Sequence, residues 1–226
     1  MKMFIKKKGV AMKLYIYDHC PFCVRARMIF GLRDVAVDEE VLLNDDEDTP
    51  IGLIGAKQVP ILIKPDGTAM GESLDIVRFI DEYAAKERLN ETVRAEVQTW
   101  YDEVNEYYNK LVQPRDIKLG LPEFATQAAI DYFVRKKEKT IGNFDTNLAN
   151  TKKYLARVHT HLAELEALVQ SPEALAGELG IEDILIFPVL RNLTMVRGLE
   201  MPPKVLAYTL AMSEKSAVPL YFDRAL

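Results

Sequence analysis

The pattern of apolar residues changes kind partway along the chain, and that change limits the possible folds more than any other feature. Up to about residue 84, strand-like runs alternate with helical spacings; from about residue 91 there is no convincing strand pattern. Leu14, Tyr15, Ile16 and Tyr17 form a β-type run, after which Val24, Met28, Ile29 and Leu32 recur at helical spacing. Residues 35–43 read as a second strand ended by the acidic turn Asn44 to Asp48, 49–55 as a short helix, and 59–63 as a buried strand. The turn "PDGT" (65–68) suits a hairpin, because Asp-Gly accommodates positive φ. A last helix over 72–85 sets Leu74, Val77 and Ile80 opposite Asp75, Arg78 and Asp81. The order βαβ, then ββα, predicts a small mixed sheet covered by helices.

The second part reads as helices at 92–112, 123–138, 146–169, 183–197 and 203–213, punctuated by Pro114, Pro122, Pro172, Gly177, Gly198 and Pro202-Pro203. Residues 184–196 are apolar on nearly all sides, as in a helix buried within a bundle. The expected fold is therefore α/β plus all-α. An α/β domain at 12–84 is followed by a polar linker at 85–91 and a helical domain at 92–226. Met12-Lys13 looks like a second start, so residues 1–11 are read as a tail or an upstream start.

Composition excludes several function classes. The net charge of -5 argues against nucleic acid as a partner, since phosphate binding needs a basic patch. No apolar run reaches the length of a membrane helix, and the basic start lacks a signal-peptide core, so a cytoplasmic protein without a membrane partner is expected. With no obvious exposed apolar seam, a monomer is expected too. Asn90-Glu91-Thr92 and Asn192-Leu193-Thr194 are then chance glycosylation-type triplets.

In that compartment lasting disulfides are rare, which gives weight to the two cysteines, Cys20 and Cys23, in "DHCPFC". A β-type run leads into the motif and a helix pattern follows, the context of a redox pair. Cys20 falls at a helix N-terminus, with Pro21 in the first turn where its missing N–H costs nothing. Free backbone N–H groups and the helix dipole there lower a thiol pKa from about 8.5 to roughly 3.5–7.5. Arg25 and Arg27 add positive charge one or two turns on, or face solvent. Cys23, in the same first turn, is placed to attack a mixed disulfide at Cys20. A zinc site needs four ligands, and the three histidines, His19, His159 and His161, do not supply them; no metal is expected. His19 either tunes Cys20 or is an exposed loop residue.

Two further stretches bear on a ligand. Pro60 stands just before the strand "ILI", where proline cannot join a sheet ladder; a cis bond would leave the Val59 backbone free to pair with an extended peptide. Glu72 and Ser73 fall at a helix start, with Ser73 suited to the cap, where a carboxylate would gain N–H bonds and the dipole. A plain helix cap is the alternative.

Strand–CPFC–helix, then Gln58-Val59-Pro60, then Gly71-Glu72-Ser73 together resemble the thioredoxin-fold domain of glutaredoxins and glutathione transferases. The helical half resembles the transferase C-terminal domain, and the combination is most similar to bacterial glutaredoxins of the glutaredoxin 2 type, over residues 12 to about 213. The resemblance implies a glutathione-dependent thiol–disulfide oxidoreductase acting on glutathionylated or disulfide-containing proteins, with glutathione as co-substrate. It implies Cys20 as nucleophile and Cys23 as resolving thiol. Phe22, Val59, Pro60, Glu72 and Ser73 would contact glutathione, and Lys57 its glycyl carboxylate. Gln58 and Gly71-Glu72-Ser73 stand where small glutaredoxins carry a threonine and a Gly-Gly-x-Asp loop, and Gly180 stands at the cap of a Ser/Thr-x-x-Asp box. The alternatives are a conjugating glutathione transferase, in which a resolving cysteine has no role, and a non-enzymatic interaction protein of transferase fold.

Overall fold

The computed structural model describes residues 11–226. The reading of residues 1–11 as a tail therefore lies, for all but its last residue, outside the described residues. Strand β1 (Lys13–Ile16) leads into helix α1 (Pro21–Arg33), followed by β2 (Asp38–Val41), α2 (Asp48–Ile54), β3 (Ile61–Ile63), β4 (Ala69–Met70) and α3 (Ser73–Tyr83). The four strands lie in the order β2-β1-β3-β4, with β2 parallel to β1 and β3 antiparallel to it. This is the expected small mixed sheet of a thioredoxin-like fold. Alternation along β1 buries Leu14 and Ile16, which share one core with Val24, Met28 and Ile29 of α1. The strand expected at 59–63 begins only at Ile61, because Val59-Pro60 is a cis bond and proline has no N–H for the ladder.

The remaining helices are α4 (Ala95–Asp116), α5 (Gln127–Ile141), α6 (Phe144–Ala149), α7 (Thr151–Leu168), α8 (Ile181–Leu193) and α9 (Pro203–Ser216), with 3₁₀ turns at Pro122–Phe124 before α5 and at Phe222–Arg224 after α9. Helix α8 is buried on nearly every side, as its sequence demands. Ile184, Ile186, Phe187, Leu190 and Leu193 are all inaccessible, each contributing roughly 1.5–3 kcal/mol of transfer free energy.

Two of the departures from the expected helices have a clear physical cause. Pro114 lies inside α4 rather than ending it. Leu111, Val112, Arg115 and Asp116 are buried on both sides of it, and Arg115 donates to the carbonyls of Leu111 (2.7 Å) and Leu226 (3.0 Å). Such packing offsets the roughly 3 kcal/mol that an interior proline costs. The single helix expected at 146–169 is two, α6 and α7, broken at Asn150. Its side-chain amide folds back to donate to the Thr146 carbonyl at 2.8 Å, a local bond that competes with helix continuation.

The halves approach closely at two glycines. A Cβ on Gly31 of α1 would lie 2.1 Å from the carbonyl oxygen of Ser216 in α9. A Cβ on Gly180, at the start of α8, would lie 2.8 Å from the Asn90 carbonyl, which accepts the N–H of Ile181 at 2.8 Å. Gly180 thus stands at the cap because a larger residue would push the 85–91 segment off α8. Asp183 still accepts the Gly180 N–H, at 2.9 Å.

Candidate active site

Cys20 is the N-cap of α1 and Pro21 its first residue, as the motif requires. The Cys20 side chain is half-buried; Cys23, one turn on, is fully buried, and the Tyr17 N–H points at its sulfur at 3.4 Å. The two thiols are electrostatically unequal. A hydrogen bond from Cys23 lowers the Cys20 pKa to about 6 against the cost of burial, with His19 and the N–H groups of Cys23 and Phe22 helping. Burial, and then the neighbouring Cys20, push the Cys23 thiol well above its ordinary value. One sulfur is thus a thiolate near neutral pH, the other a protonated reserve behind it.

Arg25 and Arg27 of α1 do not face solvent. Arg25 is buried, stacks on the Phe22 ring and donates to the Tyr101 hydroxyl at 2.6 Å, so the exposed Phe22 is held from behind. Arg27 pairs with Asp18 (2.6 Å) and Glu39 (3.1 Å).

A cleft of about 470 Å³ opens over Cys20. The first half contributes Phe22, Lys57 and Val59 to its walls; α4, α5 and α8 contribute Tyr108, Asp116, Tyr132, Lys136 and Asn192. Among the described residues, neither the N–H nor the carbonyl of Val59 has a protein partner. The Lys57 ammonium is engaged by the Tyr17 hydroxyl (2.6 Å) and by the Asn44 and Asp46 carbonyls. Glu72 and Ser73 do not line the cleft; Glu72 joins it through Gln58, whose amide donates to the Glu72 carboxylate at 3.1 Å. Ser73 is not the cap of α3. Glu72 is, at φ 61°, and Ser73 becomes the first helical residue. A non-glycine residue in that region is uncommon and marks a place where the chain is held by its surroundings.

His19 is buried, not an exposed loop residue. Its Nδ1 lies 2.6 Å from Glu123 Oε1, which also accepts the His19 N–H at 2.9 Å. Burial alone would lower the imidazole pKa, but Asp116, the Glu123 bond and Cys20 raise it to about 9. Sequence reasoning named His19 but missed its partners Glu123 and Asp116, and with them the second half's share of the site. A signal for Asp116 existed: Tyr108, Val112 and Asp116 are four residues apart on one face of α4, so an acid continues a buried stripe. Nothing local marked Glu123. His159 and His161 lie on α7 and point to different neighbours, Glu200 and Tyr107. Asn192 is buried and its amide donates to the His19 carbonyl at 2.6 Å.

Comparison with known proteins agrees with this geometry. Residues 96–225 match the family described as Glutaredoxin 2, C terminal domain, and residues 14–88 match the glutathione S-transferase N-terminal domain. Glutaredoxin 2 of Escherichia coli K12 is 45% identical over 215 residues, 95% of this chain and 100% of that protein. The crystal structure of glutaredoxin 2 from Salmonella typhimurium in complex with glutathione superposes with a TM-score of 0.93 at 45% identity, covering 96% of this chain and 99% of that one. A glutathione S-transferase from Rhodospirillum rubrum F11 shares the fold, at a TM-score of 0.60, 17% identity, and coverage of 90% and 86%. The chain belongs to the glutaredoxin 2 family of glutathione-dependent thiol oxidoreductases.

Proposed function

We propose that this chain reduces protein–glutathione mixed disulfides, and protein disulfides, through Cys20, with Cys23 as the resolving thiol. The observation that carries this reading is the inequality of the two sulfurs: one half-exposed and ionised at a cleft, the other buried and protonated beneath it. The Cys20 thiolate attacks the glutathione sulfur of a mixed disulfide. A Cys20–glutathione disulfide forms, the disulfide bond between the glutathione sulfur and the protein sulfur breaks, and the protein thiolate leaves and takes a proton from water. A glutathione thiolate then attacks the same glutathione sulfur, releasing glutathione disulfide and regenerating the Cys20 thiolate. On a protein disulfide, the Cys20 thiolate attacks one substrate sulfur and the other leaves as a thiolate; Cys23 then loses its proton and attacks Cys20 of that mixed disulfide, the first substrate sulfur leaves, and two glutathione molecules reduce the Cys20–Cys23 disulfide and depart as glutathione disulfide. A thiol of low pKa serves as attacking group at neutral pH and as good leaving group in the second step.

Glutathione would lie along the cleft, its cysteinyl backbone against the free Val59 N–H and carbonyl beside Pro60 and Phe22. Its γ-glutamyl end would reach the start of α3 at Glu72 and Ser73, where N–H groups and the dipole favour a carboxylate. Lys57 would offer this ligand its charge, its donors being shared with Tyr17, Asn44 and Asp46. The reading takes the chain as a cytoplasmic monomer, with domains at 12–84 and 92–226 joined by 85–91. Conjugation chemistry is not favoured, because it gives Cys23 no part. Intact-mass analysis of Cys23→Ser after mixing with a glutathionylated peptide tests the reading. One glutathione on Cys20 is expected, and no adduct overturns it.

A further inference from the structure

The proposed chemistry uses Cys20, Cys23 and glutathione, and leaves unexplained a set of buried charged groups that the helical half places behind the loop bearing Cys20. Glu123 is inaccessible to solvent, and so is almost all of Asp116. Glu123 Oε1 is committed twice to His19, once to the ring and once to the backbone N–H of this residue, which precedes Cys20. Among the described residues, neither Asp116 oxygen nor Glu123 Oε2 has a hydrogen-bond partner. A buried carboxylate without partners costs several kcal/mol unless an opposite charge faces it, so the pocket demands a cation. The His19 ring, enclosed by Tyr17, Phe124 and Phe133, lies in that place.

We propose that Glu123 is a positioning residue for the Cys20 chemistry: it fixes the His19 ring and keeps it an imidazolium beside the Cys20 thiolate. The active thiolate is then stabilised from both halves of the chain, by the helix terminus and Cys23 from one and by Glu123 through His19 from the other. This rests on the reading of Cys20 as nucleophile. The surrounding charges are consistent with it. From α4, Asp116 faces the ring and favours the imidazolium; burial lifts the Asp116 carboxyl to about 7, opposed by His19. Arg191 of α8 and Lys137 of α5 act on Asp116 and balance it.

The test uses the full chain with Cys23→Ser, leaving Cys20 as its one cysteine, and follows thiolate absorbance against pH. Glu123→Gln is expected to raise the Cys20 ionisation by about one pH unit, as loss of a nearby compensating charge does. His19→Gln is expected to raise it at least as much, and the double variant no further than His19→Gln alone, because the acid acts through the ring. Should Glu123→Gln not fold, the His19 ring in the unaltered chain is titrated by NMR; it is expected to stay protonated beyond about pH 8, against an ordinary value of about 6.5. A folded Glu123→Gln with unmoved Cys20 ionisation, additive effects in the double variant, or a ring titrating at its ordinary value overturns the proposal. Failure of the underlying reading is separate: it shows as Cys20→Ser retaining activity, whatever the ionisation results.

Discussion

Arg191, buried in α8, donates to both the backbone carbonyl (2.6 Å) and the carboxylate (3.1 Å) of Asp18, two residues before Cys20. Arg27 and the Tyr221 hydroxyl bind the same carboxylate, and Asn192 holds the His19 carbonyl. The loop that aims Cys20 is thus gripped by the helical half along its backbone.

This grip has an acid signature. Burial works against the Asp18 charge, but Arg191, Arg27 and the Tyr221 bond hold its pKa down to about 2. The folded value lies below the unfolded one, so the contribution is complete above about pH 4 and lost as pH falls through about 2; it is on the order of 2 kcal/mol. Asp18→Asn is expected to lower Tm at pH 7 by roughly 4–8 °C. The gap should narrow in scans towards pH 2, and a gap independent of pH would contradict the assignment.

Contact between the halves at Gly31 gives a second test. By helix propensity alone, alanine should stabilise an interior helical glycine by about 1 kcal/mol. The Ser216 carbonyl leaves no room for the Cβ, so Gly31→Ala is expected to destabilise by roughly 1–3 kcal/mol or more. Gly52→Ala in α2, where nothing lies within 4 Å, is the control and should be neutral or stabilising. Thermal melts of both variants decide it.

Much of this was legible in the sequence, for a reason that also sets the limit. The strand before Cys20, the helix after it, the turn at Asp66-Gly67 and the buried α8 all follow from local spacing, and each was placed to within a few residues. Pro114 and Asn150 were misread because packing decides the first and a side-chain bond the second. The partners of the reactive loop were invisible: Glu123 lies 104 residues from His19, and Arg191 173 from Asp18. No periodicity encodes such pairings. Asp116, on the Tyr108–Val112 stripe, is the one that a closer look at α4 would have raised.

Alkylation rates should expose the inequality of the thiols directly. Because the thiolate is the nucleophile, the rate at Cys20 should rise with pH through about 6 and level off above it. Peptide mapping at neutral pH should find label on Cys20 and little on buried Cys23. Equal labelling, or a midpoint near the free-thiol value of about 8.5, would contradict the site as described.

The most direct measurement is turnover of a glutathionylated peptide, with glutathione as reductant, by Cys20→Ser and Cys23→Ser side by side. The account predicts that Cys20→Ser loses activity by at least roughly a thousandfold, as removal of a nucleophile does. Cys23→Ser should keep activity within about tenfold of the parent, because the mixed-disulfide route needs one thiol. Comparable activity in Cys20→Ser and the parent, or equal loss in both variants, would contradict it.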